Sequence, residues 1–445
     1  MNISKRSLNI IVISIYVITL LCGAGALISN DTIEFVRKIL MFTLPTLMNA
    51  SMLIDQKGNF SKIKDYKGYL ILIILNLTWY IVTIIFGINI GGQSLTGFIN
   101  FTNIILLVFF ITHVNIDEEN KKKIINAFIY SALICSVYGI LQYIFKFDLN
   151  TFSNDKYPGI NGRVPSTFFL PTLYDKYACI MFALVSYLTL KEDKLLYKIL
   201  YVIIGINIVL TFSRGGFIAL IIVVLVHIIR TIMLKKWTNL ILPLLLVIIS
   251  FLIPGFAYLF QNTANYVYEK LHIPTNLRMS LVEEVSDDSV STDPEDDMSI
   301  SFRNYYKGIG KQIIKEYPVL GIGLNNYSYI YNNQNVTLYI EDTSVLEENL
   351  PYMYPHSGFV QMGAETGYVG LVLILVYLIY VCYDYIRYSD NKFKYFPLLI
   401  LVLFFLGNYT ESLIQNKQYM YIFIIFYGLF SNRYELKKKK WLYES

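Results

Sequence analysis

Residues 299–327 read SISFRNYYKGIGKQIIKEYPVLGIGLNNY, and residues 354–378 read YPHSGFVQMGAETGYVGLVLILVYL. In the first stretch Phe302, Tyr305, Tyr306, Ile309 and Ile313 fall at helical spacing, with Arg303, Lys307, Lys311 and Lys315 four apart on one flank. Ser299 or Ser301 suits the N-cap, and Pro318 ends the helix. The second stretch opens on Tyr354-Pro355-His356 and becomes a run apolar enough to cross a bilayer. The spacing predicts an amphipathic basic helix, a Pro/Gly turn, and a membrane-entering helix led by one histidine. Ionisable groups are costly at such a boundary, so a site is expected here.

Composition extends this reading to the whole chain. The 445 residues are 55% hydrophobic and only 16% charged, and apolar runs of about 20 residues recur from end to end. The expected fold is therefore an all-α integral membrane protein. Twelve spans are read at about 8–28, 35–54, 69–89, 98–115, 124–145, 171–190, 196–213, 216–234, 239–260, 357–380, 395–412 and 418–432. The first run lacks a small-residue cleavage pattern and reads as a span. Cys22, Cys135, Cys179 and Cys382 all lie in apolar runs, which points to buried thiols and no disulfide framework.

Orientation follows from the connections. Lys5, Lys62, Lys121–Lys123, Lys191, Lys235 and Lys437–Lys440 fall on one side of such a path, and fewer basic residues fall on the other. Both termini are then cytoplasmic, with the protein in the cytoplasmic membrane. The expected organisation is an N-terminal membrane bundle over 1–260 with an outer loop at 146–170. A large extracytoplasmic loop over 261–356, three C-terminal spans over 357–432 and a basic tail over 433–445 follow.

Segment 283–297, EEVSDDSVSTDPEDD, has no calcium-loop spacing and reads as a solvated acidic excursion. No histidine pair stands at i, i+4 and no cysteine pair has ligand spacing, so neither metal nor cofactor is expected. Gly321-Ile322-Gly323 follows no strand and is no nucleotide motif, and nothing suggests nucleic acid.

His356 stands near a helix N-terminus, where the macrodipole favours anions and disfavours a charged imidazole. A neutral imidazole suits a general base; a locally bonded loop histidine is the competing reading. Arg214 lies in TFSRGGFIAL, where Gly215 and Gly216 permit tight turning and close approach. Its guanidinium can fork a phosphate or snorkel to headgroups. Arg163, in YPGINGRVPSTFF, carries the same two readings. Lys307 belongs to the basic ladder, for which attraction to anionic lipid is the alternative. Glu365 falls nine residues after His356, on a straight helix the opposite face and about 13 Å along it, so a structural role is favoured. Glu411 poses the same question more weakly. Together these residues suggest an outward-opening cavity rimmed by Arg163, Arg214, Arg303 and His356, suited to a polyanionic head and one transferred proton.

Three stretches resemble the O-antigen ligase and polymerase family of bacterial membrane glycosyltransferases: TFSRGGFIAL, FRNYYKGIGKQIIKEYPVLGIGLNNY and PHSGFVQMGAETGYVGLVLIL. GRVPSTFFLPTLYDKYA is similar to the family's Arg-led loop. Ser357 stands where the family commonly has Asn, a departure on the acceptor side. The resemblance implies metal-independent transfer of a glycan from undecaprenyl pyrophosphate to an acceptor outside the cytoplasmic membrane. Arg214 and Arg303 would bind the pyrophosphate, Arg163 would assist, and His356 would activate the acceptor hydroxyl. The expected activity is polymerisation of a capsular, exo- or O-antigen polysaccharide, with a lipid-linked repeat unit as acceptor and a flippase and chain-length regulator as partners. A ligase or protein O-oligosaccharyltransferase uses the same donor with another acceptor. A lipid-linked oligosaccharide flippase or a scaffold is the non-enzyme alternative; the gathering of polar groups on one face argues against the flippase, and a scaffold leaves the His and Arg convergence unexplained.

Overall fold

The computed structural model describes residues 4–23, 31–55, 67–113, 116–145, 163–168, 171–253, 295–327, 355–388, 395–414 and 417–430. Every regular element among them is helical. In chain order the α-helices are α1 (Lys5–Gly23), α2 (Asp31–Asp55), α3 (Lys67–Ile85), α4 (Gly92–His113), α5 (Glu118–Phe145), α6 (Pro171–Glu192) and α7 (Leu195–Leu210). They continue with α8 (Arg214–Met233), α9 (Ile241–Phe251), α10 (Glu295–Glu316), α11 (Gly358–Tyr388), α12 (Tyr395–Thr410) and α13 (Lys417–Phe430). Among the described residues six helices are long and apolar enough to cross a membrane: α3, most of α4, α5, α6, α8 and most of α11. Shorter apolar helices occupy α2, α7, residues 237–251, α12 and α13. His272, the acidic residues up to Pro294, most of the loop at 146–170 and the basic tail lie outside the described residues.

The helices turn polar and aromatic groups inward. On α3 the buried face is Tyr69, Ile73, Asn76, Tyr80 and Thr83, while Ile71, Ile74, Ile81 and Ile85 are exposed. This inverts the water-soluble pattern, because the apolar solvent lies outside and buried polar groups must find partners within the bundle. Asn76 donates to the carbonyls of Leu72 and Leu373, and the Trp79 indole donates to the carbonyl of Thr366. Capping follows ordinary rules at the start of α5. Asp117 precedes α5 and accepts from the Asn120 backbone at 2.8 Å, and Glu118 and Glu119 fill the first turn.

The chain divides into two compact units. One comprises Met1–Ile18, Val36–Ile124 and Asp297–Ser445; the other comprises Thr19–Phe35 and Ile125–Asp296. In the second unit α6 packs on α7 and α8, and every α6 residue from Pro171 to Leu190 except Leu173 is buried. Its buried Ser186 hydroxyl meets His227 Nδ1 at 2.9 Å, which gives that histidine a structural partner.

In the first unit α10 lies against α11. Ile313, Ile314, Ile322, Tyr327 and Ala364 form a small core with Ile309 and Val360 packed on it. The helix already includes Glu295, ahead of the Ser299 or Ser301 cap that the sequence suggests. It stops at Glu316, ahead of Pro318.

The turn after α10 enters a break in α11. Gly367 has φ 68° and ψ −178°, a conformation open essentially to glycine alone, and the helix kinks there. The carbonyls and N–H groups freed at the break pair with the turn. Ile322 and Gly323 donate to the carbonyls of Ala364 and Glu365 at 2.9 Å each, and Tyr368 donates to the carbonyl of Pro318 at 2.8 Å. Gly321, at φ 65°, passes so close that a Cβ there would lie 2.5 Å from the Glu365 carbonyl carbon. The α3–α4 connection joins in: Ile88 donates to the Ile322 carbonyl, and the Asn326 amide donates to the Asn89 carbonyl. Every polar backbone group named here is thus paired across the break, as a buried interruption requires.

Candidate functional site

In the first unit the structure brings together His356, Glu411, Arg303 and Lys307. Residue 356 stands two residues before α11 and adopts φ 44°, an unfavourable left-handed conformation for a residue with a Cβ. Its imidazole Nδ1 lies 3.0 Å from Glu411 Oε2. Glu411 follows the end of α12, where its backbone N–H donates to the Gly407 carbonyl and its own carbonyl accepts from the Gly358 N–H. The same backbone contact therefore fixes the start of α11 to the end of α12. Gly358 is required there, since a Cβ would collide with the Asn408 side-chain oxygen.

Arg303, near the start of α10, places Nη2 3.8 Å from Glu411 Oε1. One carboxylate thus meets an imidazole and a guanidinium on its two oxygens. Lys307, one turn further along α10, donates to the Tyr409 carbonyl at 3.2 Å and sits 5.0 Å from the Tyr409 ring centroid. The His356 side chain keeps 21% of its surface exposed, while Glu411 keeps 10%. A carboxylate on Nδ1 holds the ring so that Nε2 is the nitrogen left for proton exchange. This pair was not foreseen: His356 and Glu411 are separated by 55 residues, and no local pattern links them.

Glu365 lies on α11 beside the turn that follows α10. It is fully buried; Oε2 accepts from the Asn325 backbone N–H at 2.8 Å and Oε1 accepts from the Gln361 amide at 3.2 Å.

In the second unit Arg163 meets the turn that carries Arg214. Its Nε donates to the Thr211 carbonyl at 2.8 Å, and the neighbouring Val164 N–H donates to the Leu210 carbonyl. Arg214 is the first residue of α8, whose N-cap Ser213 accepts from the Gly216 N–H. Phe212, just before it, has φ 46°, another left-handed backbone position. Gly216 serves close approach: a Cβ there would lie 2.8 Å from Asp175 Oδ2 on α6. Asp175 pairs with Lys176 at 3.1 Å, and both side chains are almost fully buried. This buried ion pair stands against the Arg214 turn, and no sequence pattern links it to Gly216, 41 residues after Asp175. No contact of Gly215 decides anything further. Among the described residues no group of three or more His, Cys, Asp or Glu side chains could hold a metal ion.

These features define a class: an all-helical protein with helices able to span a membrane, whose ionisable side chains gather at helix ends. Residues 199–375 match the family model described as O-antigen ligase. That stretch is thus similar to the O-antigen ligase family, whose members are membrane glycosyltransferase-like enzymes. The matched stretch contains Arg214, Arg303, Lys307, His356 and Glu365; Arg163 and Glu411 fall outside it. No curated protein matches the chain.

Proposed function

We propose that the protein polymerises a surface polysaccharide, moving a glycan from undecaprenyl pyrophosphate to the acceptor sugar of another lipid-linked repeat unit. The observation that carries this reading is the His356–Glu411 pair with Arg303 on the same carboxylate. In the reaction an acceptor hydroxyl attacks the anomeric carbon, and the glycosidic bond to the pyrophosphate oxygen breaks with its electron pair. His356 Nε2 takes the hydroxyl proton, while Glu411 steadies the imidazolium that forms. Arg214 and Arg303 balance the charge that develops on the leaving pyrophosphate, and Arg163 assists. The donor is already activated, so the step draws on no nucleotide.

The topology belongs to the same proposal. Twelve spans, both termini in the cytoplasm, a large extracytoplasmic loop over 261–356 and an outward-facing site in the cytoplasmic membrane together let a lipid-linked donor arrive from a flippase. A chain-length regulator is the further expected partner.

A gel of surface glycan from cells lacking the gene, complemented with wild type or His356→Ala, tests the reading. Polymerase activity predicts collapse of the ladder to single repeat units, restored by wild type alone. A full ladder stranded on lipid carrier would instead mark a ligase. Unchanged glycan would overturn the glycosyltransferase reading.

A further inference from the structure

Arg303 lies on α10 and His356 just ahead of α11, and those helices are joined by the small core of Ile313, Ile314 and Ala364 and by the turn inserted at the break in α11. Between Arg303 and that turn runs most of α10, about 20 Å of helix. A small rotation at the turn would therefore sweep Arg303 across its contact with Glu411. The turn is held mostly by backbone groups: Pro318, Ile322 and Gly323 pair with Tyr368, Ala364 and Glu365. Side chains of α11 add one anchor, the Glu365 carboxylate, whose Oε2 accepts the Asn325 N–H at 2.8 Å and whose Oε1 accepts from Gln361. Asn325 itself has φ 60°, so the turn at this point occupies a strained conformation that an anchor must hold. Tyr327, two residues on, returns to α10 through its hydroxyl, which donates to the Tyr306 carbonyl. A continuous path thus runs from Glu365 through Asn325 and Tyr327 to the residues flanking Arg303.

We infer that Glu365 is a positioning residue for the transfer reaction: by holding Asn325 it fixes α10 on α11 and so sets Arg303 against Glu411 and His356. This inference rests on the proposed pyrophosphate role of Arg303. It assigns to Glu365 a hydrogen-bond geometry, since the Asn325 N–H and the Gln361 amide that it holds are neutral donors. A neutral side chain of equal length with an acceptor oxygen replaces it; a shorter carboxylate does not.

The test measures binding of farnesyl pyrophosphate to the purified, monodisperse full chain in detergent, for wild type, Arg303→Ala, Glu365→Gln, Glu365→Asp and Glu365→Ala. The expected order places Glu365→Gln within about twofold of wild type. Glu365→Asp and Glu365→Ala bind roughly tenfold more weakly, and adding Glu365→Ala to Arg303→Ala weakens binding no further. If Glu365→Ala does not yield folded protein, the Gln and Asp variants decide alone. Aspartate outperforming glutamine would make the charge, not the geometry, the function and would overturn the inference. Wild-type binding in folded Glu365→Asp, with binding lost in Arg303→Ala, would overturn it too, while leaving the donor reading in place. Unchanged binding in Arg303→Ala would instead remove the donor reading on which it stands.

Discussion

At the scale of single residues, the chemistry turns on which atom each side chain is left to use. Glu411 engages Nδ1 of His356, so the carboxylate does for this histidine what a triad acid does for its imidazole: it fixes tautomer and orientation. Glu411→Gln preserves size and reach but offers an amide that can donate to Nδ1, stabilising the wrong tautomer. We expect about a 10²–10⁴-fold loss of turnover with little change in the amount of folded protein, the loss seen when such an acid is neutralised. Transfer from a lipid-linked donor by purified protein measures it, and turnover near wild type would make the pair merely structural. Arg214 is argued differently, because its proposed partner is the donor. Arg214→Lys keeps the charge but loses the planar fork, and affinity for farnesyl pyrophosphate should fall about tenfold, the loss of roughly one charge-assisted hydrogen bond. Equal affinity would mean that Arg214 acts as a point charge.

At the scale of elements, glycines discriminate between open and closed space. A Cβ at Gly308, on the exposed side of α10, would meet nothing within 4 Å. Gly308→Ala should therefore stabilise the helix by about 0.5–1 kcal/mol, visible as a higher melting temperature in detergent. Gly367→Ala is the opposite case, since its Cβ would strike the Val319 carbonyl and its backbone angles belong to glycine. It should cost at least about 2–3 kcal/mol, combining backbone strain with loss of the inserted turn. A melting temperature unchanged by Gly367→Ala would mean that the turn does not depend on the break. These elements also show what the sequence could convey. The basic amphipathic α10, its end before Pro318 and the histidine at the start of α11 were legible, because periodicity and turn chemistry are local signals. The break at Gly367 was not, since its cause is a distant turn whose backbone enters the helix; Gly367 on its own looks like one more small residue in a span. The His356–Glu411 pair was hidden for the same reason.

At the scale of the whole molecule, the inverted pattern of α3, with polar and aromatic residues inside and Ile71, Ile74, Ile81 and Ile85 outside, agrees with a lipid surrounding. What hydropathy cannot supply is direction, and direction decides whether a lipid-linked donor can reach the site at all. Basic residues supply it: Lys194, between α6 and α7, and Lys235, after α8, lie on connections that the positive-inside rule assigns to the cytoplasm, whereas α10 follows an odd number of further expected crossings. Single cysteines introduced into a chain freed of its own thiols make this measurable with a membrane-impermeant maleimide. Lys194→Cys and Lys235→Cys should stay unlabelled in intact cells and react once the membrane is permeabilised. Gly308→Cys, placed where the side chain has open space, should react in intact cells. The reverse pattern would turn the site towards the cytoplasm, where it would meet donors before their export. The His356–Glu411 chemistry would then survive, but polymerisation outside the membrane would not.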